Sequence, residues 1–368
     1  MPPSILQILP RRAAEPDGVG DYATHLADAL ERSAGLGSVF LQGTTAEAAP
    51  PRADRWPTAV LPVRRADNLL KTISDLMAQH SPIAVVVHVS LYGYQKRGVP
   101  TWLAVGLRRW KKRAGSAPLV AIFHELWASH SNPFNSSFWV APAQRFITRS
   151  LYGLSDAVIT TTELFKRRLV SAQKVAPPVS VANVFSTVGE PTSVPAIAER
   201  PARLVFLGGE GVALIARQYG TELSRVLEKA TIREIVQIGK QTEPPPTTVL
   251  GLPVSAKGVL PAPELSKLLQ TSRLGILPYG NRSVLGKSTI LAAYAIHGVV
   301  PVALKVTHED ADGLEADVNY LVASRQLETL NDLEAMQQNI RSWYRGHSLS
   351  LQAQRLAAII QCLSGGVS

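Results

Sequence analysis

The sequence predicts an α/β protein built from two Rossmann-like, doubly wound domains. Short apolar runs rich in β-branched residues alternate with longer amphipathic stretches, which is the pattern of parallel strands joined by crossover helices. A length of 368 residues exceeds the usual ~150 residues per domain, so two domains are expected. Hydrophobic residues make up 46% of the chain and charged residues 18%, which excludes a disordered protein.

Residues 1–184 carry the pattern of the first doubly wound domain. Strands are predicted at Ile5–Leu9, Ser38–Leu41, Thr58–Pro62, Ile83–Val89, Leu119–His124, Ala157–Thr161 and Val179–Val184. Helices are predicted between them at Asp21–Arg32, Asp67–Gln79, Pro100–Arg113, Ala143–Leu151 and Glu163–Ser171.

Residues 185–202 concentrate Pro, Ser, Thr and Gly and lose all periodicity, which predicts a linker between domains. The pattern then restarts over residues 203–340. Strands are predicted at Leu204–Leu207, Glu234–Ile238, Leu265–Leu269, Leu274–Pro278 and Val300–Leu304, and helices at Val212–Lys229 and Lys287–His297. The tail from Leu330 to Leu363 has a helical composition.

The positive charge belongs to the first half of the chain, with +9 for residues 1–183 against +1 for the rest. Such a bias suits an anionic membrane surface, a nucleic acid or a phosphorylated ligand. Nucleic acid is disfavoured because no zinc finger, RRM signature or basic arm accompanies the charge.

The composition predicts a cytoplasmic protein. The single cysteine, Cys362, excludes a disulfide scaffold and a cysteine-based zinc cluster and fits a reducing compartment. The eight histidines are dispersed without metal-ligand spacing, so no metal site is expected. No apolar run approaches ~18 residues and the N-terminal segment lacks a signal-peptide pattern, so neither a spanning helix nor a leader is expected.

The loop after the first strand ends in Asp17-Gly18-Val19-Gly20-Asp21-Tyr22 and opens a helix. Glycines let backbone N–H groups approach an anion or a sugar, and a helix N-terminus favours phosphate. The spacing fits neither a dinucleotide fingerprint nor a P-loop. The alternative interpretation is a tight turn with an aspartate cap.

From this loop onward the chain resembles retaining glycosyltransferases of the GT-B fold, family four. The segment GVGDYATHLADAL is similar to the loop that opens the sugar-donor cleft in that family. Further similar segments are His88–Leu103, Phe123–Trp127, Ser155–Thr161, Leu274–Tyr279, Gly286–Val302 and Asn319–Val322.

The resemblance implies two domains facing a cleft and a metal-independent, retaining transfer without a cofactor. The donor would be a UDP- or GDP-sugar and the acceptor an envelope, polysaccharide or lipid-linked glycan. It also implies that residues 341–368 return as a helix to the N-terminal domain.

Within the activity that the resemblance implies, the chemistry of individual residues predicts their roles. His124 and Glu125 would act at the reacting sugar, although a buried structural role is the alternative for each. Donor binding would involve Gly18, Gly20, Gly208, Gly209, Tyr279, Lys287, Ser288 and Thr289. Acceptor binding would involve Asp21, Tyr22, His88, Tyr92 and Tyr94, with ordinary loop packing as the alternative for Tyr92 and Tyr94.

The chain departs from the family pattern at the donor site. Leu285 and Ala293 stand where typical members carry two glutamates, and Gly208-Gly209-Glu210-Gly211 replaces a loop that usually supplies Arg and Lys. The run Gly286-Lys287-Ser288-Thr289 offers amides, hydroxyls and a cation that suit a diphosphate. Its alternative interpretation is a helix cap with an exposed lysine. The departures also leave open a catalytically degenerate GT-B-like binding or assembly protein for glycan synthesis.

The helix predicted at Pro100–Arg113 combines apolar residues with a basic end. Its cations are Arg108, Arg109, Lys111, Lys112 and Arg113, and its apolar residues include Trp102 and Trp110. Such a helix can lie on anionic headgroups and would make the protein peripheral on the inner face of the cell membrane. The alternative is a surface helix whose apolar side belongs to the core.

Overall fold

The structure is a computed structural model that describes residues 3–12, 17–44, 54–114, 117–128, 136–173, 177–208, 211–240, 246–277, 285–304, 312–323 and 331–365. The chain packs into two compact units. The first spans Met1–Asn183 together with Leu349–Ser368, and the second spans Val184–Ser348. The segment 185–202, predicted as a linker, and residues 341–348, predicted to return to the first domain, therefore belong to the second unit.

The described part of the first unit forms a seven-stranded sheet in which the pairings are parallel. Its strands are β1 (Ser4–Leu9), β2 (Gly37–Gln42), β3 (Thr58–Val60), β4 (Ala84–Val89), β5 (Leu119–Phe123), β6 (Ala157–Thr160) and β7 (Val179–Val181). The strands lie in the order β3-β2-β1-β4-β5-β6-β7. Its crossover helices are α1 (Gly18–Ala34), α2 (Ala66–His80), α3 (Leu91–Tyr94), α4 (Thr101–Ala114), α5 (Ser136–Leu154) and α6 (Glu163–Val170).

Helices cover both faces of this sheet, as the continuous apolar strands require. Every residue of β4 is buried, which is usual for a central parallel strand. Alternate side chains of β1 divide between two clusters: Leu6 and Ile8 pack with α2, α4 and α5, whereas Leu9 packs with α1.

The second unit repeats the architecture with a second sheet. Its described strands are β8 (Arg203–Leu207), β9 (Glu234–Ile238), β10 (Thr248–Val249), β11 (Leu252–Ala256), β12 (Leu274–Ile276), β13 (Val300–Ala303) and β14 (Leu321–Val322). They lie in the order β10-β11-β9-β8-β12-β13-β14, and the β10–β11 pairing is antiparallel. The helices are α7 (Val212–Lys229), α8 (Ala262–Gln270), α9 (Thr289–His297) and α10 (Asn331–Arg345).

The strand predicted at Leu265–Leu269 is wrong, because this segment is the middle of α8. Pro261 is the helix N-cap, and the following straight-chain residues favour a helix over a strand. A run of four or five mostly apolar residues does not by itself distinguish a strand from a helix turn.

The C-terminal helix α11 (Leu349–Gly365) leaves the second unit and packs against α1 of the first. Among its buried residues are Leu356 and Ile360, which carry its apolar face. Gln352 is buried too, and it donates from Nε2 to the carbonyl oxygen of Asn183 (2.6 Å).

The apolar side of α4 belongs to the core, which is the alternative that the sequence left open. Trp102, Leu103, Leu107 and Trp110 are buried in the cluster shared with α2 and α5. The charged side chains of α4 are therefore at the surface, whereas the apolar side that the membrane hypothesis required to be exposed is buried. In the described ranges, no helix combines the length and the apolar character needed to cross a bilayer.

Candidate functional site

The first unit carries a line of polar side chains that runs diagonally across four neighbouring strands. Gln7 of β1 is paired with Phe40, two residues after Ser38 of β2, and with Val86, two residues before His88 of β4. His88 in turn is paired with Ile122 of β5, two residues before His124. Residues two apart on a strand share a face, so all four side chains lie on the face that α1 covers.

These side chains form one hydrogen-bonded chain. Gln7 donates from Nε2 to Ser38 Oγ (2.8 Å), and its Oε1 lies 2.8 Å from His88 Nε2. His88 Nδ1 lies 3.1 Å from His124 Nε2, with the two rings stacked. Because Gln7 Oε1 only accepts, His88 donates from Nε2 and accepts at Nδ1, and His124 donates from Nε2. This leaves Nδ1 of His124 as a lone-pair acceptor.

Both imidazoles are held neutral. Burial lowers the pKa of His124 to about 4. Burial, helped by the neighbouring His124, lowers the pKa of His88 well below its usual value. Nδ1 of His124 has no hydrogen-bond partner among the described residues, and the side chain is half-buried. At neutral pH it can therefore accept a hydrogen bond from a hydroxyl group of a ligand.

Glu125 lies next to this pair, directly after β5. It is half-buried, and its carboxylate accepts a long hydrogen bond from the hydroxyl of Ser90 (3.4 Å), the residue that follows β4. The ends of adjacent parallel strands meet at one sheet edge, so His124 and Glu125 belong to the same edge. The structure thus brings the two predicted catalytic residues together within one unit.

His88 itself has a role different from the predicted one. It is fully buried in β4, and both ring nitrogens are engaged by Gln7 and His124. It can act on a ligand only through His124, so direct acceptor binding by His88 is wrong.

The glycine loop before α1 is used mainly for packing. A Cβ on Gly20 would lie 2.9 Å from the carbonyl oxygen of Arg11, so this glycine lets the helix start pack closely on the loop. Asp21 accepts from the backbone N–H of Asp17 (3.0 Å), which ties the first helical turn to its cap. Gly18 is exposed, with open space around its Cα, and is the glycine that a ligand can approach.

Of the three tyrosines predicted to bind the acceptor, two are buried. Tyr22 donates to Gln352 Oε1 (2.9 Å), and its ring lies edge-on to that of His124, with the centroids 4.8 Å apart. Tyr94 donates to the carbonyl oxygen of Ile8 (3.2 Å) within the core. Both are therefore corrected to structural positions, whereas Tyr92 is 42% exposed.

A crevice of about 480 Å³ lies in the first unit where α11 meets the sheet. Tyr22 and Gln352 line it beside aliphatic side chains of β5, β6 and β7. Lys166 and Arg355 are its cationic residues. Tyr22 therefore contacts both this crevice and the ring of His124.

In the second unit, the predicted diphosphate-binding residues stand at the start of α9. Ser288 is the N-cap, and its hydroxyl accepts from the backbone N–H of Leu291 (3.0 Å). Lys287 is exposed, and Thr289 is the first residue of the helix. The cap that the sequence offered as the alternative is thus present, and the helix start also presents the amides that suit an anion.

Gly208 has a packing role instead of the predicted phosphate contact. Its N–H donates to the carbonyl oxygen of Ile238 (3.0 Å), so this amide is not available to a ligand. A Cβ on Gly239 would lie 3.0 Å from Gly208 O, which shows how closely the two backbones approach. The predicted residues Gly209 and Tyr279 lie outside the described residues.

Leu285 and Ala293, at the positions where glutamates were expected from the resemblance, are both buried. Leu285 belongs to a 3-10 helix (Leu285–Lys287), and the carbonyl oxygen of Ala293 accepts from His297 Nδ1 (2.7 Å). No group of His, Cys, Asp and Glu side chains suited to a metal ion occurs in the described part of the chain.

Gln7, Ser38 and Ser90 contribute hydrogen bonds to the candidate site of the first unit, although the sequence patterns did not predict a role for them. A signal for Gln7 was present, because this glutamine interrupts the apolar run that follows Ser4 in the strand SILQIL. A buried amide needs partners, so such a residue indicates a polar network. Ser38 and Ser90 gave no comparable signal, since serines are common at strand ends.

Comparison with known proteins agrees with this architecture. Residues 17–184 match the family model described as "Glycosyl transferase 4-like domain". No curated protein sequence matches the chain. Among solved structures, a lipopolysaccharide outer core galactosyltransferase in its apo form is similar, with 11% identity, coverage of 97% of this chain and 99% of the other, and a TM-score of 0.58.

Two further structures extend the comparison. An α,α-trehalose 6-phosphate synthase from Burkholderia multivorans is 13% identical with coverage of 100% of both chains and a TM-score of 0.61. A UDP-GlcNAc 2-epimerase from Neisseria meningitidis bound to UDP-GlcNAc is 14% identical, with coverage of 96% and 98% and a TM-score of 0.57. The two units therefore have the GT-B fold.

Proposed function

We propose that this protein transfers a sugar, with retention and without a metal ion, from a UDP- or GDP-sugar to a glycan or lipid-linked acceptor. The observation that carries the proposal is the match of residues 17–184 to a glycosyl transferase 4-like domain on a chain with the GT-B fold. The fold alone does not carry it, because an epimerase shares the fold.

His124 is the residue of the first unit that we assign to the transferred sugar. Its neutral ring presents Nδ1 as an acceptor, and the chain through His88 and Gln7 fixes that ring. A hydrogen bond to one sugar hydroxyl orients the donor and adds stabilisation where the reacting carbon gains positive charge. Glu125, held by Ser90, is the neighbouring carboxylate that can bind a second hydroxyl.

The second unit would hold the diphosphate at the start of α9. The first-turn amides, the helix dipole and the ammonium group of Lys287 are all favourable to an anion. In a retaining transfer of this kind the leaving phosphate can accept the proton of the acceptor hydroxyl, so no protein nucleophile is needed.

A specific observation favours a second candidate function. The two positions assigned to the missing glutamates are filled by the buried apolar residues Leu285 and Ala293. The alternative is therefore a GT-B-shaped protein that binds a nucleotide sugar, or assembles with other glycan-synthesis proteins, without catalysing transfer.

A thermal-shift panel of nucleotides and nucleotide sugars tests the proposal first. A ligand at 100 times its dissociation constant stabilises the folded state by about 2.7 kcal/mol, which raises the melting midpoint by a few degrees. We expect a UDP- or GDP-sugar to do this for the wild type. Lys287→Ala should abolish the shift, and the matched exposed lysine variant Lys267→Ala should keep it.

The stabilising donor is then incubated with glycan acceptors, and release of the nucleoside diphosphate is measured. Release together with an α-linked product from an α-linked donor, identified by NMR, supports retaining transfer. A thermal shift without release supports the binding protein instead. No shift with any nucleotide or nucleotide sugar contradicts both sugar transfer and nucleotide-sugar binding and favours the assembly protein.

A further inference from the structure

The outward face of α5 carries aromatic side chains where a surface helix normally carries polar ones. Trp139 is 72% exposed, Phe146 67% and Phe138 37%. Trp139 and Phe146 are seven residues apart, two helical turns, and so lie on one side of the helix. The opposite side, with Ile147 and Leu151, is buried in the core. The exposed aromatic residues therefore lie on the side of α5 that faces away from the core.

Basic residues accompany these rings on α5 and on the neighbouring helix. Arg145 and Arg149 are exposed on the same helix, and α5 contains no acidic residue. The helix packs beside α4, which is also without acidic residues and whose exposed cations include Arg108, Lys112 and Arg113. Two α4 cations are paired with aspartates, Arg109 with Asp67 (2.5 Å) and Lys111 with Asp156 (2.5 Å).

We propose that the exposed face of α5 docks the protein on an anionic lipid bilayer, with Trp139, Phe138 and Phe146 inserted among the headgroups. Trp and Phe on one side of a helix with basic neighbours are the combination that holds an interfacial helix in a membrane surface. The cations are drawn to the negative surface potential of anionic lipids, and the rings supply the apolar contact. This contact is independent of the proposed sugar transfer.

The choice of a bilayer over a protein partner follows from the charge. The exposed cations of α4 and α5 have no acidic residue on either helix to balance them, and the first half of the chain carries +9 of the total charge. A negatively charged, fluid surface can attract scattered cations and accept exposed aromatic rings without requiring a partner of matched shape. The structure thus moves the membrane contact from the apolar side of α4, which is buried, to the outer face of α5.

Vesicle flotation tests the proposal. The full-length protein should float with vesicles of phosphatidylcholine mixed with phosphatidylglycerol and remain unbound with phosphatidylcholine alone, and added salt should weaken the binding. The double variant Trp139→Ser/Phe146→Ser should lose about tenfold or more in partition coefficient. The control Leu214→Ser/Val259→Ser, which removes two exposed apolar side chains of the second unit, should bind as the wild type does. Arg145→Gln/Arg149→Gln should bind less strongly to the anionic vesicles.

A second measurement does not depend on a destabilised variant. Brominated lipids should quench part of the tryptophan fluorescence of the wild type, and Trp139→Phe should remove that quenching while still floating. The proposal is overturned if the aromatic double variant floats like the wild type, if the wild type ignores anionic vesicles, or if Trp139→Phe is quenched equally. Sedimentation velocity in the absence of vesicles provides one more test. If the wild type self-associates and the aromatic double variant does not, the face is a protein interface and the proposal is overturned.

Discussion

Gln7 decides which nitrogen of His124 carries a proton, although it lies two strands away. Its Oε1 accepts from His88 Nε2, which makes His88 Nδ1 an acceptor and His124 Nε2 a donor. Buried networks of this kind depend on every member being satisfied. One glutamine in an apolar strand thus sets the chemistry that His124 offers to a ligand.

Replacing Gln7 by leucine should therefore change the tautomer of His124. In the wild type we expect long-range ¹H–¹⁵N spectra to show His124 protonated at Nε2, and in Gln7→Leu to show a mixture of tautomers. If the sugar contact is correct, kcat/KM should fall about tenfold, equivalent to the loss of one hydrogen bond.

The matched control is Gln237→Leu, which removes another buried glutamine, on β9 of the second unit. Both substitutions should lower stability by about 1–3 kcal/mol, because each leaves a buried N–H group without its partner. Only Gln7→Leu should alter the tautomer. An unchanged His124 spectrum in Gln7→Leu would contradict the role of the glutamine.

Two helices end at glycines that look alike in sequence, but replacing these glycines should lower the stability of the protein by different amounts. Gly35 ends α1 and Gly298 ends α9, both at φ 65° in the left-handed region. Around Gly35 there is open space, but a Cβ on Gly298 would lie 2.8 Å from Nη2 of the buried Arg200. Arg200 donates to the carbonyl oxygens of Ser272 and Gly298 and so holds three segments together.

Alanine at the two sites should consequently have unequal effects. Gly35→Ala should cost about 1 kcal/mol for the left-handed backbone, and Gly298→Ala should cost at least about 1 kcal/mol more because Arg200 must move. Chemical unfolding curves for the two variants measure this difference. Equal losses would mean that Arg200 adjusts without cost.

The attachment of α11 to the first unit depends in part on one hydrogen bond between helices. Tyr22 of α1 donates to Gln352 of α11 inside the protein. Tyr22→Phe and Gln352→Leu should each lower the free energy of unfolding by about 1–2 kcal/mol. In the double variant, the loss of unfolding free energy should be about 0.5–1.5 kcal/mol smaller than the sum of the two single losses, because neither polar group then remains without its partner. Strictly additive losses would contradict the coupling.

For the molecule as a whole, acid sensitivity should follow from buried neutral histidines in both units. Burial lowers the pKa of His124 and of His297 to about 4, against 6.5 in the unfolded chain. Between these values the unfolded state binds a proton that the folded state does not. Stability is therefore unaffected by these groups above pH 6.5 and falls as the pH drops from 6.5 towards 4.

For each histidine, the free energy of unfolding should fall by up to about 1.4 kcal/mol for each pH unit in this range. His297→Gln, which keeps a polar side chain near Ser266, should reduce this slope between about pH 6.5 and about pH 4 and leave it unchanged above about pH 7. Urea unfolding midpoints across that range measure the effect. Parallel pH profiles for the two proteins would contradict the assignment.

The strands and helices were largely predictable, and so were residues at strand ends. His124 and Glu125 stand where a buried strand stops, and in a parallel sheet such positions converge at one edge. Tyr22 and Tyr94 could not be assigned in the same way. Each lies in or near a loop motif in sequence, yet each packs inside the protein, because burial depends on which helix covers the residue.

Patterns along the chain specify the alternation of strands and helices and the uneven charge, because these features depend on neighbouring residues. Three further features arise from tertiary packing: the diagonal formed by Ser38, Gln7, His88 and His124, the burial of the apolar side of α4, and the exposure of the aromatic face of α5. Those outcomes depend on strand register and helix packing between segments far apart in sequence, which no local pattern encodes.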